Sequence, residues 1–214
     1  MKYKGIIFDL DGVICFTDEY HYLAWKEIGE NIGIFNFTRE DNNRQRGVSR
    51  MESLEILLEK SKQIYNSEEK IILSEKKNQI YRKLLGRMSK EDLSPETYQT
   101  LVELKNKGLK LAIGSSSKNA RYILNKLELL DFFDAISDGN YLVHTKPNPE
   151  VFLKAAKMIK LDPKELMVIE DADAGIEAAL AGGFTAVAIG AARTSNKADF
   201  NIDSLPNLLQ IIGT

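Results

Sequence analysis

The chain has 214 residues, of which 43% are hydrophobic and 28% are charged, as in ordinary globular proteins. Its formal net charge is -2 and its basic residues are dispersed, which argues against a nucleic-acid face but allows one small anionic ligand. The single cysteine, Cys15, excludes an internal disulfide and favours a reducing, cytoplasmic location. We expect no leader segment, no membrane span, no membrane or nucleic-acid partner, and a monomer.

The first predicted element is a buried strand at Gly5–Phe8, which ends in the acidic stretch Asp9-Leu10-Asp11-Gly12. Residues 18–90 are predicted to be wholly helical, because apolar residues recur there at helical spacing among Glu and Lys. A helical segment directly after an acidic loop is well placed to cover it. We therefore predict a helical cap at 16–91, inserted into a catalytic core formed by 1–15 and 92–214.

After about residue 92 the predicted strands and helices alternate. The expected elements, in chain order, are a helix from Ser94 to about Gly108, a strand at 109–113, a helix through Leu127, a short strand near Ala135, a helix from about Glu150, a strand at 166–169, a helix ending at Gly182 and a strand at 186–189. Such alternation predicts an α/β fold, a doubly wound parallel sheet with a Rossmann-like core. Sheets of this kind bind ligands beyond the carboxyl ends of their strands.

Acidic residues follow two of these strands. Asp9 and Asp11 taken alone have roughly even odds of being a surface turn with Gly12, since Asp and Gly dominate turns. Glu170-Asp171 ends another strand of the same sheet, and several carboxylates in one crevice repel each other unless a cation is present. Their oxygen atoms suit Mg²⁺, whereas two histidines and one cysteine give no zinc cluster. The pattern predicts a magnesium site in which one Asp is a nucleophile and the other transfers a proton.

Two further features are ambiguous by themselves. Ser115-Ser116-Ser117 follows a predicted strand and is either a phosphate cradle or a simple helix cap. Lys146 lies beside Pro147, which restricts the backbone and could aim the ammonium group, although a lone lysine is more often a solvated charge. Next to an aspartyl nucleophile, such a lysine would neutralise a transferring phosphoryl group.

Four motifs, taken in order, resemble those of the haloacid dehalogenase superfamily: Asp9-Leu10-Asp11-Gly12-Val13, Ser115, Lys146-Pro147 and Glu170-Asp171. Further segments resemble the sugar-phosphate mutases of that superfamily: Glu19-Tyr20-His21 with Trp25, Arg46-Gly47-Val48-Ser49-Arg50 with Ser53, and Ser115-Ser116-Ser117-Lys118-Asn119. The resemblance spans nearly the whole chain. It implies a Mg²⁺-dependent interconversion of β-glucose 1-phosphate and glucose 6-phosphate, with a sugar phosphate as the small-molecule partner.

The resemblance also implies residue roles. Six positions would be catalytic: Asp9 as nucleophile, Asp11 as general acid and base, Thr17 in the hinge, His21 in cap closure, and Ser115 and Lys146 on the phosphoryl group. The metal site would consist of Asp9, Asp11 (through its backbone carbonyl), Glu170 and Asp171. The sugar and the phosphates would contact Trp25, Arg46, Gly47, Val48, Arg50, Ser53, Lys77, Ser115, Ser116, Ser117, Asn119 and Lys146.

Three positions depart from the family pattern. Phe16 stands where an acidic residue is frequent, Arg46 stands where Lys is common, and Ala172 stands where Ser is frequent. None of these changes removes a catalytic group. Without the resemblance, Trp25 and His21 would be read as packing residues, whereas Arg46, Arg50 and Lys77 would be read as surface charges.

Two other functions stay open. A sugar-phosphate phosphatase would use the same core motifs, and only the cap residues His21, Arg50 and Asn119 favour the mutase. A non-catalytic sugar-phosphate binding protein would be expected to lack Asp9, Asp11 or Lys146, yet all three are present.

Overall fold

The computed structural model describes residues 2–194 and 196–213 of the chain. Met1, Ser195 and Thr214 fall within the predicted core ranges and lie outside the described residues. Within the described part, one sheet of six parallel strands has the order β3-β2-β1-β4-β5-β6. The strands are β1 (Gly5–Phe8), β2 (Lys110–Gly114), β3 (Ala135–Ser137), β4 (Leu166–Glu170), β5 (Thr185–Ala188) and β6 (Phe200–Asn201).

Four α-helices lie within the described residues 16–91: α1 (Asp18–Asn31), α2 (Arg39–Arg44), α3 (Arg50–Leu58) and α4 (Ser67–Leu85). They have a hydrophobic cluster of their own, in which Trp25, Leu54 and Leu73 are buried. No described residue between positions 16 and 91 belongs to a strand, as the sequence predicts. The division into a core and a cap stays a prediction. The cluster of α1–α4 supports it, while Tyr81 and Leu85 of α4 pack into the cluster of the sheet.

Five helices follow in the rest of the described chain: α5 (Pro95–Asn106), α6 (Ala120–Lys126), α7 (Glu150–Ile159), α8 (Asp173–Ala181) and α9 (Asn207–Gly213). Ile6 and Phe8 of β1 pack into one buried cluster with residues of α5, α6 and α9. Ile7 points to the opposite face and packs into a second cluster with α7 and α8. Both faces of the sheet are therefore covered, which confirms the predicted doubly wound α/β class.

The predicted strands are confirmed within one residue, and β6 is the strand that the sequence analysis missed. Its two residues are too few to show a hydrophobic period, and both are exposed. Among the described residues, no helix is long and apolar enough to cross a membrane.

The register of the sheet determines where the polar residues meet. Phe8 pairs with Ile113 of β2 on one side and with Ile169 of β4 on the other. The carboxyl ends of these three neighbouring strands therefore lie level with one another. This alignment places Asp9, Ser115 and Glu170 at the same edge of the sheet.

Candidate active site

The loop after β1 is held tightly against β4. The backbone N–H of Asp9 donates to the carbonyl of Ile169 at 2.9 Å, and that of Gly12 donates to the carbonyl of Cys15 at 2.7 Å. Gly12 has a φ of +86°, and a Cβ atom there would overlap the Asp171 carboxylate. Glycine is therefore required at this turn, both for its backbone conformation and for the space that it leaves.

Lys146 lies at the centre of the acidic group. Its Nζ is 2.5 Å from Asp9 Oδ1 and also donates to the Glu170 carboxylate, while the lysine is only 1% exposed. Burial alone would lower the pKa of Lys146, but the Asp9 and Glu170 carboxylates outweigh it and raise that pKa. Lys146 is thus a buried cation and not a solvated surface charge.

Asp9, Glu170 and Asp171 form a compact carboxylate group whose oxygen atoms lie within 4.8 Å of one another. Burial raises the pKa of Asp171 to about 7, and the nearby Asp9 carboxylate adds to this effect. Burial also raises the pKa of Glu170, with Lys146 acting in the opposite direction. Negative charge is costly in this group, and three oxygen donors suit a hard divalent cation that would offset the cost.

The Asp11 side chain lies outside this group. Its carboxylate accepts a hydrogen bond from the Thr17 hydroxyl, which comes from the start of α1. Burial and the Asp9 charge raise the pKa of Asp11 to about 6, although the Thr17 hydrogen bond lowers it. A carboxyl group with such a pKa can both accept and return a proton near neutral pH.

The three serines after β2 form a turn that precedes α6. Ser115 Oγ accepts from the Ser117 N–H at 3.1 Å, and Ser117 Oγ accepts from the Asn119 N–H at 3.2 Å. Helix α6 begins only at Ala120, and it has no side-chain cap. The helix-cap interpretation of the serines is therefore wrong, and Ser115 is buried at the end of β2, whose neighbours are β1 and β3.

Helices α1–α4, which we call the helical side, contribute three basic residues, Arg50, Lys77 and His21. We call these three residues the basic cluster. Lys77 Nζ lies 2.9 Å from His21 Nδ1 and 4.4 Å from the centre of the Tyr81 ring. Burial, followed by the Arg50 charge, lowers the pKa of Lys77 well below its usual value. Burial, followed by the Lys77 charge, lowers that of His21 in the same way.

A cavity of about 1340 Å³ lies between the strand ends and helices α1–α4. Every predicted site residue except Lys146 lines this cavity. Lys146 donates to the Asp9 and Glu170 carboxylates, which do line the cavity. Trp25 is both a cavity-lining residue and part of the α1–α4 hydrophobic cluster, so the two interpretations of this residue are compatible.

Four polar contacts connect the helical side to the sheet edge. Ser116 Oγ donates to the Gly47 carbonyl at 3.1 Å, and Thr145 Oγ1 donates to Glu52 Oε2 at 2.8 Å. The two remaining contacts are Asn119 Nδ2 with Asn78 Oδ1 at 2.9 Å and Arg46 Nη1 with Asp171 Oδ2 at 3.4 Å. These contacts hold the helices over the acidic loop.

Sequence reasoning missed several cavity residues, among them Glu75 and Tyr81. Tyr81 could have been found, because Ser74, Lys77 and Tyr81 share the buried face of α4 at helical spacing. Glu75 carried no such signal. Two of the departures from the family pattern are visible in the structure, since Phe16 is exposed and Ala172 precedes α8 without a side-chain cap.

Comparisons with known proteins identify the family of the chain. Residues 3–183 match the model of the haloacid dehalogenase-like hydrolase family. The chain belongs to this family.

Two of the similar proteins are β-phosphoglucomutases. The one from Bacillus subtilis is 42% identical over 207 residues, which cover 96% of this chain and 91% of that protein. The crystal structure of the one from Clostridium difficile has a TM-score of 0.92 at 36% identity, over 99% of this chain and 96% of that chain. A phosphatase of phosphorylated carbohydrates from Thermotoga maritima is 32% identical, over 84% of this chain and 82% of that protein.

Proposed function

We propose that this protein is a β-phosphoglucomutase, which interconverts β-glucose 1-phosphate and glucose 6-phosphate through β-glucose 1,6-bisphosphate. The observation that carries the proposal is that one cavity has a phosphoryl-transfer end, with Asp9 and Ser115, and a basic end, with Arg50 and Lys77. A mutase that works through a bisphosphate needs two phosphate sites, so that the intermediate can reverse its orientation. The similarity to the Bacillus subtilis and Clostridium difficile proteins supports this substrate pair.

Asp9 is the proposed nucleophile. In its phosphorylated form it passes the phosphoryl group to the 6-hydroxyl of β-glucose 1-phosphate, and the bond between phosphorus and the Asp9 oxygen breaks. The bisphosphate then reverses, and Asp9 attacks phosphorus at the other end and releases glucose 6-phosphate. Lys146 and Ser115 hold the group in transit, Lys146 by neutralising charge beside Asp9.

Asp11 is the proposed general acid and base. It accepts the proton of the attacking sugar hydroxyl and later returns a proton to the leaving sugar oxygen. Its raised pKa suits both steps, and the Thr17 hydroxyl fixes its orientation. His21 and Thr17 join this chemistry to the helical side. The second phosphate would be held by Arg50 of that side together with Ser117 and Asn119 of the turn after β2.

The proposed cofactor is Mg²⁺, held by the Asp9, Glu170 and Asp171 carboxylates together with the Asp11 backbone carbonyl. When bound, it would neutralise charge on the phosphoryl group. The sugar would lie against Trp25, Arg46, Gly47, Val48, Ser53, Lys77 and Ser116. Helices α1–α4 would act as a cap that excludes water from the aspartyl phosphate. We further propose a monomeric, cytoplasmic enzyme.

Product analysis tests this function directly. The protein is incubated with β-glucose 1-phosphate, Mg²⁺ and a trace of β-glucose 1,6-bisphosphate, and the products are separated. Glucose 6-phosphate without free phosphate supports the mutase, whereas glucose and free phosphate as the products would overturn it.

A phosphatase of sugar phosphates is the second candidate, favoured by the similarity to the Thermotoga maritima phosphatase. It would use Asp9 in the same way but would admit water to the aspartyl phosphate. The basic side chains Arg50 and Lys77 in the same cavity favour the mutase, since a phosphatase of monophosphates needs no second phosphate site.

A further inference from the structure

Arg50 of the basic cluster already has an anionic partner. Its Nη1 lies 2.9 Å from Oε1 of Glu75, a residue of α4 that also lines the cavity. The Arg50 side chain is 18% exposed, whereas the Glu75 side chain is 59% exposed. The guanidinium is thus held inside the cavity wall, and the carboxylate reaches it from the rim.

Arg50 is the strongest base of the basic cluster, because burial lowers the pKa of Lys77 and of His21 well below their usual values. The Arg50 charge adds to the effect of burial on the pKa of both Lys77 and His21, so it acts on the whole basic cluster. A dianion placed among these residues would be favoured by the same field. Glu75 and an incoming phosphate therefore compete for one guanidinium.

We propose that Glu75 is an internal counterion of the basic cluster, which a substrate phosphate must displace from Arg50, so that Glu75 sets the affinity for sugar phosphates. The inference rests on the proposed function for the identity of the ligand. Glu75 is the partner that leaves, because its carboxylate is already mostly in water and regains hydration at little cost. Arg50 stays, because its side chain is packed into the wall.

Binding measurements test the role of Glu75 without turnover. Glucose 6-phosphate is titrated calorimetrically into the protein with Mg²⁺ present and bisphosphate absent. Glu75→Gln should lower Kd by about two- to five-fold, the range expected when a partly exposed ion pair no longer competes. The gain should shrink as salt is added, because screening weakens the competing charge. In steady-state assays, KM should fall while kcat does not rise.

Two comparisons isolate the effect. Glu27→Gln removes the same charge from an exposed position of α1 and should leave Kd unchanged. In an Arg50→Gln background, Glu75→Gln should give no gain, because the competition needs the guanidinium. Thermal unfolding of each variant verifies that it is folded.

An unchanged or higher Kd for folded Glu75→Gln would overturn the proposal, since Glu75 would then be neutral or would position Arg50 for the ligand. An equal gain in the Arg50→Gln background would overturn it as well. Failure of the proposed function is a separate outcome, seen as absence of conversion of β-glucose 1-phosphate, because the binding experiment requires no turnover.

Discussion

Lys146 Nζ lies 2.5 Å from Asp9 Oδ1, although 137 positions separate the two residues in the chain. The sheet register makes this contact possible, since β1 and β4 end level with each other and Lys146 also reaches Glu170 at the end of β4. Lys146 is buried, so its charge is compensated by these carboxylates and not by water.

Replacing Asp9 by Asn tests the nucleophile. The amide is nearly the same size but cannot form an acyl phosphate by attack on phosphorus. We expect turnover of β-glucose 1-phosphate to fall by at least about a thousand-fold, as when other catalytic nucleophiles are removed. Circular dichroism should show an unchanged fold, and full activity of the variant would contradict the assignment.

Replacing Lys146 by Met should destabilise the protein strongly. The change leaves Asp9 and Glu170 buried side by side without their cation, and the loss of one partner from a buried pair costs about 3–5 kcal/mol. The measurement is the free energy of unfolding in urea at neutral pH without Mg²⁺.

Lys110→Met provides the matched control. Lys110 also pairs with a carboxylate, that of Asp134 at 2.9 Å, but its side chain is 57% exposed. We expect a loss below about 1 kcal/mol for this exposed pair. Equal losses in the two variants would show that burial does not decide the strength of the Lys146 group.

Mg²⁺ should stabilise the folded protein, because the crowded carboxylates of the proposed metal site would bind it and the unfolded chain would not. The melting temperature of the wild-type protein should rise with Mg²⁺ concentration and should fall back to its metal-free value when the metal is chelated. Asp171→Asn should lose most of this rise, whereas Asp131→Asn at an exposed position should keep it. A full Mg²⁺ response in Asp171→Asn would exclude this carboxylate from the site.

Gly12→Ala separates backbone strain from steric overlap when it is compared with Gly33→Ala. Both glycines have a positive φ, +86° at Gly12 and +80° at Gly33, but only a Cβ at Gly12 meets other atoms. We expect Gly33→Ala to cost about 1–2 kcal/mol of unfolding free energy. Gly12→Ala should cost more and should also reduce turnover at least about ten-fold, because Asp171 must move. Equal losses of stability in the two variants, together with full activity of Gly12→Ala, would show that a Cβ at position 12 does not overlap the Asp171 carboxylate.

His21 predicts a loss of stability at mildly acidic pH. Burial and Lys77 lower the pKa of His21 in the folded protein, so below about pH 6.5 the unfolded chain binds a proton that the folded chain does not. The free energy of unfolding therefore falls as pH falls, by about 1 kcal/mol from this residue at one unit below that pH.

The non-titrating variant His21→Asn should remove this part of the pH dependence. His144→Asn, at the other histidine of the chain and on an exposed loop, should keep it. The measurement is urea unfolding between about pH 5.5 and 7.5. An unchanged pH slope in His21→Asn would show that the histidine does not stay neutral in the folded protein.

The sequence by itself determined the order of the helices and strands and the residues of the catalytic loop. Hydrophobic periods, glycine turns and acidic strand ends are local signals, so they locate β1, β4 and the Asp9 loop without any knowledge of packing. The strand β6 was not predicted, because its two exposed residues show no hydrophobic periodicity.

Only the tertiary structure decided which charges meet. From the sequence, Lys146 could have been a surface lysine, but it is a buried cation that contacts Asp9. Arg50 could have had no anionic partner, but it is paired with Glu75. Each partner comes from another element of the fold, Asp9 from the end of β1, Glu170 from β4 and Glu75 from α4, so these contacts depend on how the elements pack. A charge is strong or weak according to its burial and its neighbours, and these are properties of the packed molecule that no local pattern contains.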